Sequence, residues 1–238
     1  MAAVQSFQTT VEKIERMTEH VKRFSVRLEQ PKALSFLPGQ FVIVNVPQPG
    51  GAAPLKRAYS IASPPYEAGR FELCIQMVPN GRASAYFDAL QGGERLTITG
   101  PHGKFTLKQP LDYDPVFLST GTGFAPFRAM VLQLLHDGFA RDLWVFLGSR
   151  YEQHLLYLDE LRALAATHAN LQFHPTVSRP VQWTDDRGHV QDAFKQYISA
   201  YRGKEMYVCG WDTAVKGVCA DLAAWGVPKA QIHYEEWT

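Results

Sequence analysis

Residues 115–136 read PVFLSTGTGFAPFRAMVLQLLH, and this stretch decides the fold of the second half of the chain. The letters PVFLS are typical of a buried strand, and apolar residues at helical spacing follow Gly121 and Gly123. The pattern predicts a strand over 115–119 and a helix over 125–136, joined by a tight turn. Because a strand–turn–helix is part of a βαβ unit, the stretch indicates a parallel sheet.

The alternation of strands and helices continues to the end of the chain. Further strands are predicted at 143–147, 171–177, 206–209 and 231–234, and further helices at 153–166, 190–201 and 213–225. Before residue 108 the pattern is one of short strands punctuated by Pro and Gly, at 21–28, 40–46, 58–62 and 71–78, with one helix at 83–90. We therefore expect two domains: an N-terminal antiparallel β-barrel over 1–110, then an α/β domain with a parallel sheet over 111–238.

The composition narrows the class of protein. The 238 residues carry a net charge of +1, with 46% hydrophobic and 20% charged residues, so we expect a folded chain without a nucleic-acid partner. No apolar run approaches the roughly 20 residues of a membrane helix, and no secretory signal is visible. We expect a cytoplasmic protein with no membrane span. The 3 cysteines and 8 histidines lack the spacing of metal ligands, so no metal site is expected.

Three loops carry residues that suit a phosphate group. Gly121, Thr122 and Gly123 allow close approach of the backbone, and the N-terminus of the next helix favours an anion. Residues 81–84 (Gly-Arg-Ala-Ser) lead into the predicted helix at 83–90. Residues 57–60 (Arg-Ala-Tyr-Ser) offer a guanidinium, an aromatic ring and a hydroxyl. Taken singly, the first pattern fits a plain strand–helix turn equally well, while the second and third more readily fit a hairpin turn with a capping serine and a surface arginine beside a core tyrosine.

Taken together and in this order, the motifs resemble those of the ferredoxin–NADP reductase superfamily. Its members join a flavin-binding β-barrel to a nicotinamide-binding α/β domain. The matching segments are P-G-Q at 38–40, R-x-Y-S at 57–60, G-x-x-S at 81–84, G-P-x-G-x-F at 100–105, G-T-G-x-A-P at 121–126, G-S-R at 148–150, V-C-G at 208–210 and E-E-W at 235–237.

The resemblance implies a role for each matched residue. Those implied to hold FAD are Arg57, Ala58, Tyr59, Ser60, Gly81, Arg82, Ala83 and Ser84, with Tyr59 stacked on the flavin and Ser60 near its N5 atom. Those implied to hold the nicotinamide nucleotide are Gly121, Thr122, Gly123, Arg150, Ser178, Arg179, Cys209 and Gly210. The residues implied beside the reacting rings are Ser60, Cys209, Glu235 and Trp237.

The resemblance also implies a reaction. It is FAD-dependent electron transfer between NAD(P)H and a separate one-electron carrier, such as ferredoxin or flavodoxin, because the chain has no C-x4-C-x2-C run for an iron–sulfur module of its own. Two alternatives are a reductase of free flavin and a non-catalytic flavin-binding subunit of an electron-transfer complex.

Two further expectations concern the choice between NADPH and NADH and the position of Trp237. Ser178 and Arg179 resemble the pair that holds the 2′-phosphate in NADP-dependent relatives and so favour NADPH over NADH, although similar stretches occur in NADH-dependent members. Trp237 either packs against the core of its own domain or covers the flavin face opposite Tyr59, from which it would move aside for the nicotinamide.

Overall fold

The structure is a computed structural model that describes residues 3–67 and 69–237. The described chain forms two compact units. The first runs to Leu107 and also includes Ala125–Leu134, whereas the second comprises Lys108–Phe124 and the chain from Leu135 onward. The domain limits expected from the sequence, 1–110 and 111–238, stay a prediction.

The first unit is an antiparallel barrel of six strands with one helix. Its elements are β1 (Gln5–Arg16), β2 (Val21–Gln30), β3 (Phe41–Val46), β4 (Leu55–Ser60), β5 (Arg70–Gln76), α1 (Arg82–Ala89) and β6 (Arg95–His102). The strands lie in the order β4-β3-β6-β1-β2-β5, and a bridge between Ile61 and Leu73 joins the two edges. The predicted β-barrel is therefore confirmed.

Alternating side chains build the core of this barrel. Val42, Val44 and Val46 of β3 all point inward and are fully buried, while the residues between them are half-buried. This period of two is what a strand with one covered face requires. Helix α1 adds Phe87, whose ring meets those of Phe24 and Tyr59 edge-on at centroid distances of 5.4 and 5.3 Å.

The second unit is a parallel sheet with helices. Its strands are β7 (Asp114–Thr120), β8 (Leu143–Ser149), β9 (Leu171–Val177), β10 (Asp186–Arg187), β11 (Lys204–Trp211) and β12 (Ile232–Trp237). Its helices are α3 (Leu158–Thr167), α4 (Val190–Tyr197) and α5 (Asp212–Ala224), and α2 (Phe124–His136) is shared with the first unit. All neighbouring strands run parallel, in the order β10-β9-β8-β7-β11-β12, which confirms the predicted α/β fold.

The strand order of the parallel sheet creates a position where a ligand can bind. The chain starts at the central strand β7, builds outward through β8 and β9, and then returns to the other side of β7 with β11. The point between β7 and β11 is therefore a topological switch point. In open α/β sheets, ligands bind at the carboxyl ends of the strands at such a point.

Two helices differ from the sequence-based expectation. The helix predicted at 153–166 begins only at Leu158, because Tyr157 adopts a left-handed backbone conformation with φ of 57° and separates it from a short 3-10 turn. The helix predicted at 190–201 ends at Tyr197, since Ile198 is already extended. Neither change moves a residue of the expected sites.

Candidate functional site

In the first unit, β4 presents the residues expected to hold a flavin. Arg57 is exposed, and among residues 3–67 and 69–237 its guanidinium donates only to the carbonyl of its neighbour Lys56, at 2.9 Å, so it is available to an anion. Ala58 is exposed as well. Tyr59 lies half-buried against Phe87, and this burial raises its pKa to about 12, so the phenol stays neutral.

Ser60 lies at the end of β4 and is held in place by β3. It is 7% exposed and pairs with Phe41. The next residue, Ile61, donates its backbone N–H to the carbonyl of Gln40 at 3.0 Å. The Gln40 side chain in turn accepts from the Leu37 N–H at 2.8 Å and donates to the Gly103 carbonyl at 3.1 Å. Gln40 thus links the P-G-Q segment to the corner at Gly103 and to the strand that carries Ser60.

The start of α1 offers the second part of the expected flavin site. Gly81 precedes the helix, Arg82 is its first residue, and its first turn has no acidic residue. The Arg82 guanidinium donates to the side-chain oxygen of Gln48 at 3.3 Å. The Ser84 hydroxyl accepts from the Val78 N–H at 2.8 Å and keeps its own proton for a ligand. Ala83 is buried and packs into the barrel core.

In the second unit, the residues Gly121–Gly123 form a 3-10 turn between β7 and α2. Gly121 has φ of +53°, and the Phe124 N–H closes the turn by donating to the carbonyls of Gly121 and Thr122. Gly123 lies against β11, since a Cβ there would be 2.3 Å from the carbonyl oxygen of Cys209 and 2.7 Å from the Cα of Gly210. Only glycine fits at this position, and the first turn of α2 has no acidic residue to repel an anion.

A row of polar side chains crosses three strands beside this turn. Cys209 pairs in register with Ser119 of β7 and with Glu235 of β12. Because residues in register share one face of a parallel sheet, the three side chains lie side by side. The switch point thus brings together the expected Cys209 and Glu235.

Burial raises the pKa values of Cys209 and Glu235. The pKa of the Cys209 thiol is raised well above its ordinary value, chiefly by burial and secondly by the negative charge of Glu235. Burial likewise raises the pKa of Glu235, and a hydrogen bond from Trp237 partly offsets that rise. A neutral thiol is a poor nucleophile, so the row is suited to contact with a neutral ring and to holding a proton.

Trp237 ends β12 on the same face as Glu235. Its register partner is Trp211, the last residue of β11, which is 42% exposed. Trp237 is itself half-buried, and whether it packs against the core or covers the flavin stays a prediction.

The fold brings together Arg150 and Arg179, the two arginines expected to hold the nicotinamide nucleotide. The Ser178 N–H donates to the Ser149 carbonyl at 3.0 Å, and the Arg179 N–H donates to the Arg150 carbonyl at 2.8 Å. Both guanidinium groups are exposed and make no ion pair or hydrogen bond with any residue that the structure describes.

Two acidic side chains near Arg150 and Arg179 already have partners. Glu152 accepts from the backbone N–H groups of Val181 and Gln182, which lower its pKa. Asp185 pairs with Arg162 at 2.5 Å. The positive charge of Arg150 and Arg179 therefore remains available to an anion.

Two family models match the chain: the oxidoreductase FAD-binding domain over residues 8–107 and the oxidoreductase NAD-binding domain over residues 117–220. The chain belongs to the ferredoxin–NADP reductase superfamily. It is an NAD(P)H-dependent flavoprotein oxidoreductase with FAD as its cofactor. In the parts 3–67 and 69–237 of this reductase, no helix is long and apolar enough to cross a membrane, and no three metal-ligating side chains cluster.

Relatives match the reductase over its whole length. Ferredoxin–NADP reductase B of Sorangium cellulosum (strain So ce56) is 34% identical, and the match covers 100% of both chains. The phenol hydroxylase P5 protein of Acinetobacter pittii (strain PHEA-2) is 30% identical over 98% of this chain, which spans 66% of that protein. The crystal structure of a cytochrome P450 reductase from Amycolatopsis is similar with a TM-score of 0.89 at 27% identity, over 99% of this chain and 71% of the other.

The residues present fit FAD. An exposed guanidinium at Arg57, a helix start without acidic groups at residues 81–84 and the free proton of Ser84 suit its phosphates, and the half-buried ring of Tyr59 suits its flavin. The sequence analysis noted Gln40 only as part of the P-G-Q segment and gave it no role, although its buried amide organises this region. The signal available was a polar residue between Gly39 and the apolar strand β3.

Proposed function

We propose that this reductase takes electrons from NADPH and passes them, one at a time, to a separate small carrier protein such as ferredoxin or flavodoxin. The observation that carries the proposal is the row formed by Cys209 and Glu235 beside the Gly121–Gly123 turn, at the switch point of the sheet. The full-length similarity to a protein named ferredoxin–NADP reductase B supports the carrier. The three cysteines, all free, agree with a cytoplasmic protein.

In this proposal, the residues of the chain bind and orient the cofactors. Bound FAD would supply the redox chemistry, namely acceptance of a hydride from the nicotinamide and release of the two electrons one at a time. Tyr59 supplies a flat neutral surface for the flavin, and Ser60 supplies a hydroxyl at its reacting edge. Arg57 and the start of α1 neutralise the phosphates. Correct placement of the two rings, and not an acid–base pair, then supplies most of the rate.

The second unit orients the nicotinamide. The Gly121–Gly123 turn lets the backbone approach the nucleotide phosphates, while Cys209 and Glu235 contact the nicotinamide from the neighbouring strands. Burial raises the pKa of Glu235, so its carboxyl group holds a proton more readily than an exposed glutamate does. Trp237, on the same face, shields the reacting position from water until the nicotinamide arrives.

The choice of NADPH rests on Arg150 and Arg179. Their backbones are hydrogen-bonded to each other, so the two guanidinium groups start from adjacent points at the carboxyl ends of β8 and β9. The acidic groups nearby are occupied by Arg162 and by backbone N–H groups. Two unpaired guanidinium groups side by side suit a phosphate monoester, which the 2′-phosphate of NADPH provides and the ribose of NADH lacks.

The carrier is tested by reoxidation of the reduced holoprotein. The FAD-loaded protein is reduced with NADPH under anaerobic conditions and then mixed, in separate runs, with ferredoxin, flavodoxin or free FMN. The proposal expects a protein carrier to reoxidise the flavin faster than an equal concentration of FMN. Faster reoxidation by FMN would favour a free-flavin reductase, and no reoxidation by any of the three would favour a subunit that works only within a complex.

A further inference from the structure

Ser119 has a buried hydroxyl that no contact in the described chain explains. It is the penultimate residue of β7, in the centre of the parallel sheet, and it is 2% exposed. Its Oγ finds no hydrogen-bond partner among residues 3–67 and 69–237. A buried hydroxyl without a partner destabilises the protein relative to an alanine at the same position. Such a group therefore calls for an explanation.

The polar residue in register with Ser119 on a neighbouring strand is Cys209. Ser119 pairs in register with Leu147 of β8 on one side and with Cys209 of β11 on the other. Adjacent strands lie about 4.8 Å apart, so side chains in register on one face can meet. Leu147 offers no hydrogen-bonding group. Cys209 is 1% exposed, and its sulfur receives a hydrogen bond from the Gly210 backbone.

The glycine turn connects this pair of residues to the nucleotide. Gly123 lies directly against the carbonyl group of Cys209. A nucleotide seated on the turn therefore lies next to the backbone that carries the thiol. In the function proposed above, the nicotinamide occupies space beside the sulfur. This favours a thiol rotamer that points away from the nucleotide, toward Ser119 on the neighbouring strand.

We propose that Ser119 is a positioning residue for the nicotinamide site, and that its hydroxyl becomes the hydrogen-bond partner of the Cys209 thiol when the nucleotide binds. The inference rests on the proposed function, because it requires the nicotinamide to lie beside Cys209. It adds Ser119 to the nicotinamide site, a residue whose role is not visible in the protein without nucleotide. The unpaired hydroxyl then destabilises the nucleotide-free protein. Nucleotide binding removes this destabilisation, which makes binding tighter.

The direct test is infrared spectroscopy of the holoprotein with and without NADP⁺. The S–H stretching band of Cys209 is isolated by subtracting the spectrum of Cys209→Ala. We expect the band to move to lower frequency when NADP⁺ binds to the unsubstituted protein, because a thiol that donates a hydrogen bond has a weaker S–H bond. We expect no such movement in Ser119→Ala.

Binding and stability give a second, independent test. In Ser119→Ala, the Kd for NADP⁺ should rise about fivefold, which corresponds to about 1 kcal/mol for one hydrogen bond. The thermal midpoint without nucleotide should stay equal or increase, because an unpaired buried hydroxyl has been removed. Ser119→Thr, which keeps a hydroxyl that can accept from the thiol, should restore most of the affinity. This combination of weaker binding with undiminished stability does not follow from a purely structural role.

A matched control is available in the same sheet. Thr176 of β9 is fully buried, and its Oγ1 has no hydrogen-bond partner in the described parts of the chain. Its register partners are Gly148 and Asp186, so it has no cysteine beside it. Thr176→Val removes the hydroxyl at constant shape and should leave both the Kd and the S–H band unchanged.

The outcomes separate the inference from the function on which it rests. If Cys209→Ala weakens NADP⁺ binding but Ser119→Ala changes neither the Kd nor the band shift, the role of Ser119 is wrong and the nicotinamide contact stands. If Cys209→Ala binds NADP⁺ like the unsubstituted protein, both are wrong. An ordered water that stays on the Ser119 hydroxyl in a crystal of the NADP⁺ complex would also overturn the role of Ser119.

Discussion

Gly123 packs directly against Cys209, so closely that a Cβ on Gly123 would lie 2.3 Å from the Cys209 carbonyl oxygen. The turn after β7 and the end of β11 are thereby fixed to each other at the switch point of the sheet. A residue that shapes the nucleotide loop and a residue expected beside the nicotinamide therefore occupy one rigid corner. Any change that separates them should affect nucleotide binding first.

Gly123→Ala is expected to disrupt this corner. The added methyl group meets backbone atoms, which cannot move aside like a flexible side chain, so the turn must shift away from β11. We expect the Kd for NADP⁺, measured by titration, to rise by at least about tenfold, which corresponds to about 1.4 kcal/mol. FAD content should not change.

The control for this substitution is Gly217→Ala. Gly217 lies in the middle of α5 with open space around its Cβ position. Alanine there should stabilise the helix by about 0.5–1 kcal/mol and leave nucleotide binding unchanged. Normal NADP⁺ affinity in Gly123→Ala would contradict the account of the corner.

The sequence predicted most of the fold but missed two strands of the barrel. β1 (Gln5–Arg16) lies between β6 and β2, yet its apolar residues are widely spaced and two register shifts interrupt its alternation. A strand with that pattern resembles a polar loop. β6 carries the clear alternation of Leu96 and Ile98 between polar residues and could have been found. The strand β10 has only Asp186–Arg187, which is too short to leave a pattern.

Arg57→Ala tests the flavin site in the first unit. In the described parts of the chain the exposed guanidinium has only a backbone carbonyl as its partner, and a charge-assisted bond to phosphate is worth about 1.5–3 kcal/mol. Equilibrium dialysis should show FAD binding about ten- to a hundredfold weaker. Arg95→Ala, which removes another exposed arginine of the same unit, should bind FAD normally. Equal affinities in both variants would remove Arg57 from the site.

Arg179→Ala tests the preference for NADPH. Loss of one of two adjacent guanidinium groups should lower kcat/KM for NADPH by about tenfold and leave the value for NADH within about twofold, because only NADPH carries the 2′-phosphate. Arg202→Ala, an exposed arginine before β11, is the matched control and should change neither value. An unchanged ratio of the two kcat/KM values in Arg179→Ala would mean that Arg179 does not select the nucleotide.

Trp237→Ala tests the gate. If the indole occupies the position that the nicotinamide needs, its removal should tighten NADP⁺ binding several-fold and relax the preference for NADPH, since an aromatic stacking contact is worth about 0.5–1.5 kcal/mol. FAD should stay bound. Trp237→Phe keeps a ring and should remain closer to the unsubstituted protein. A variant that loses only thermal stability would identify Trp237 as a packing residue.

Some features of the candidate site could be predicted from the sequence, and others could not. The spacing of glycines, arginines and the R-x-Y-S segment is local, so the sequence alone pointed to each phosphate loop. The adjacency of Arg150 to Arg179 and of Ser119 to Cys209 depends on strand order and register. Those pairings arise from the tertiary fold, and no local pattern encodes them.

In the proposed function, NADPH reduces the FAD that is bound to this chain. The most direct measurement is an anaerobic titration of the FAD-loaded protein with NADPH, followed by the visible absorbance of the flavin. The account predicts that the flavin bleaches fully at one equivalent of NADPH and much more slowly with NADH. A protein that binds FAD and NADP⁺ but whose flavin stays oxidised in excess NADPH and NADH would contradict it.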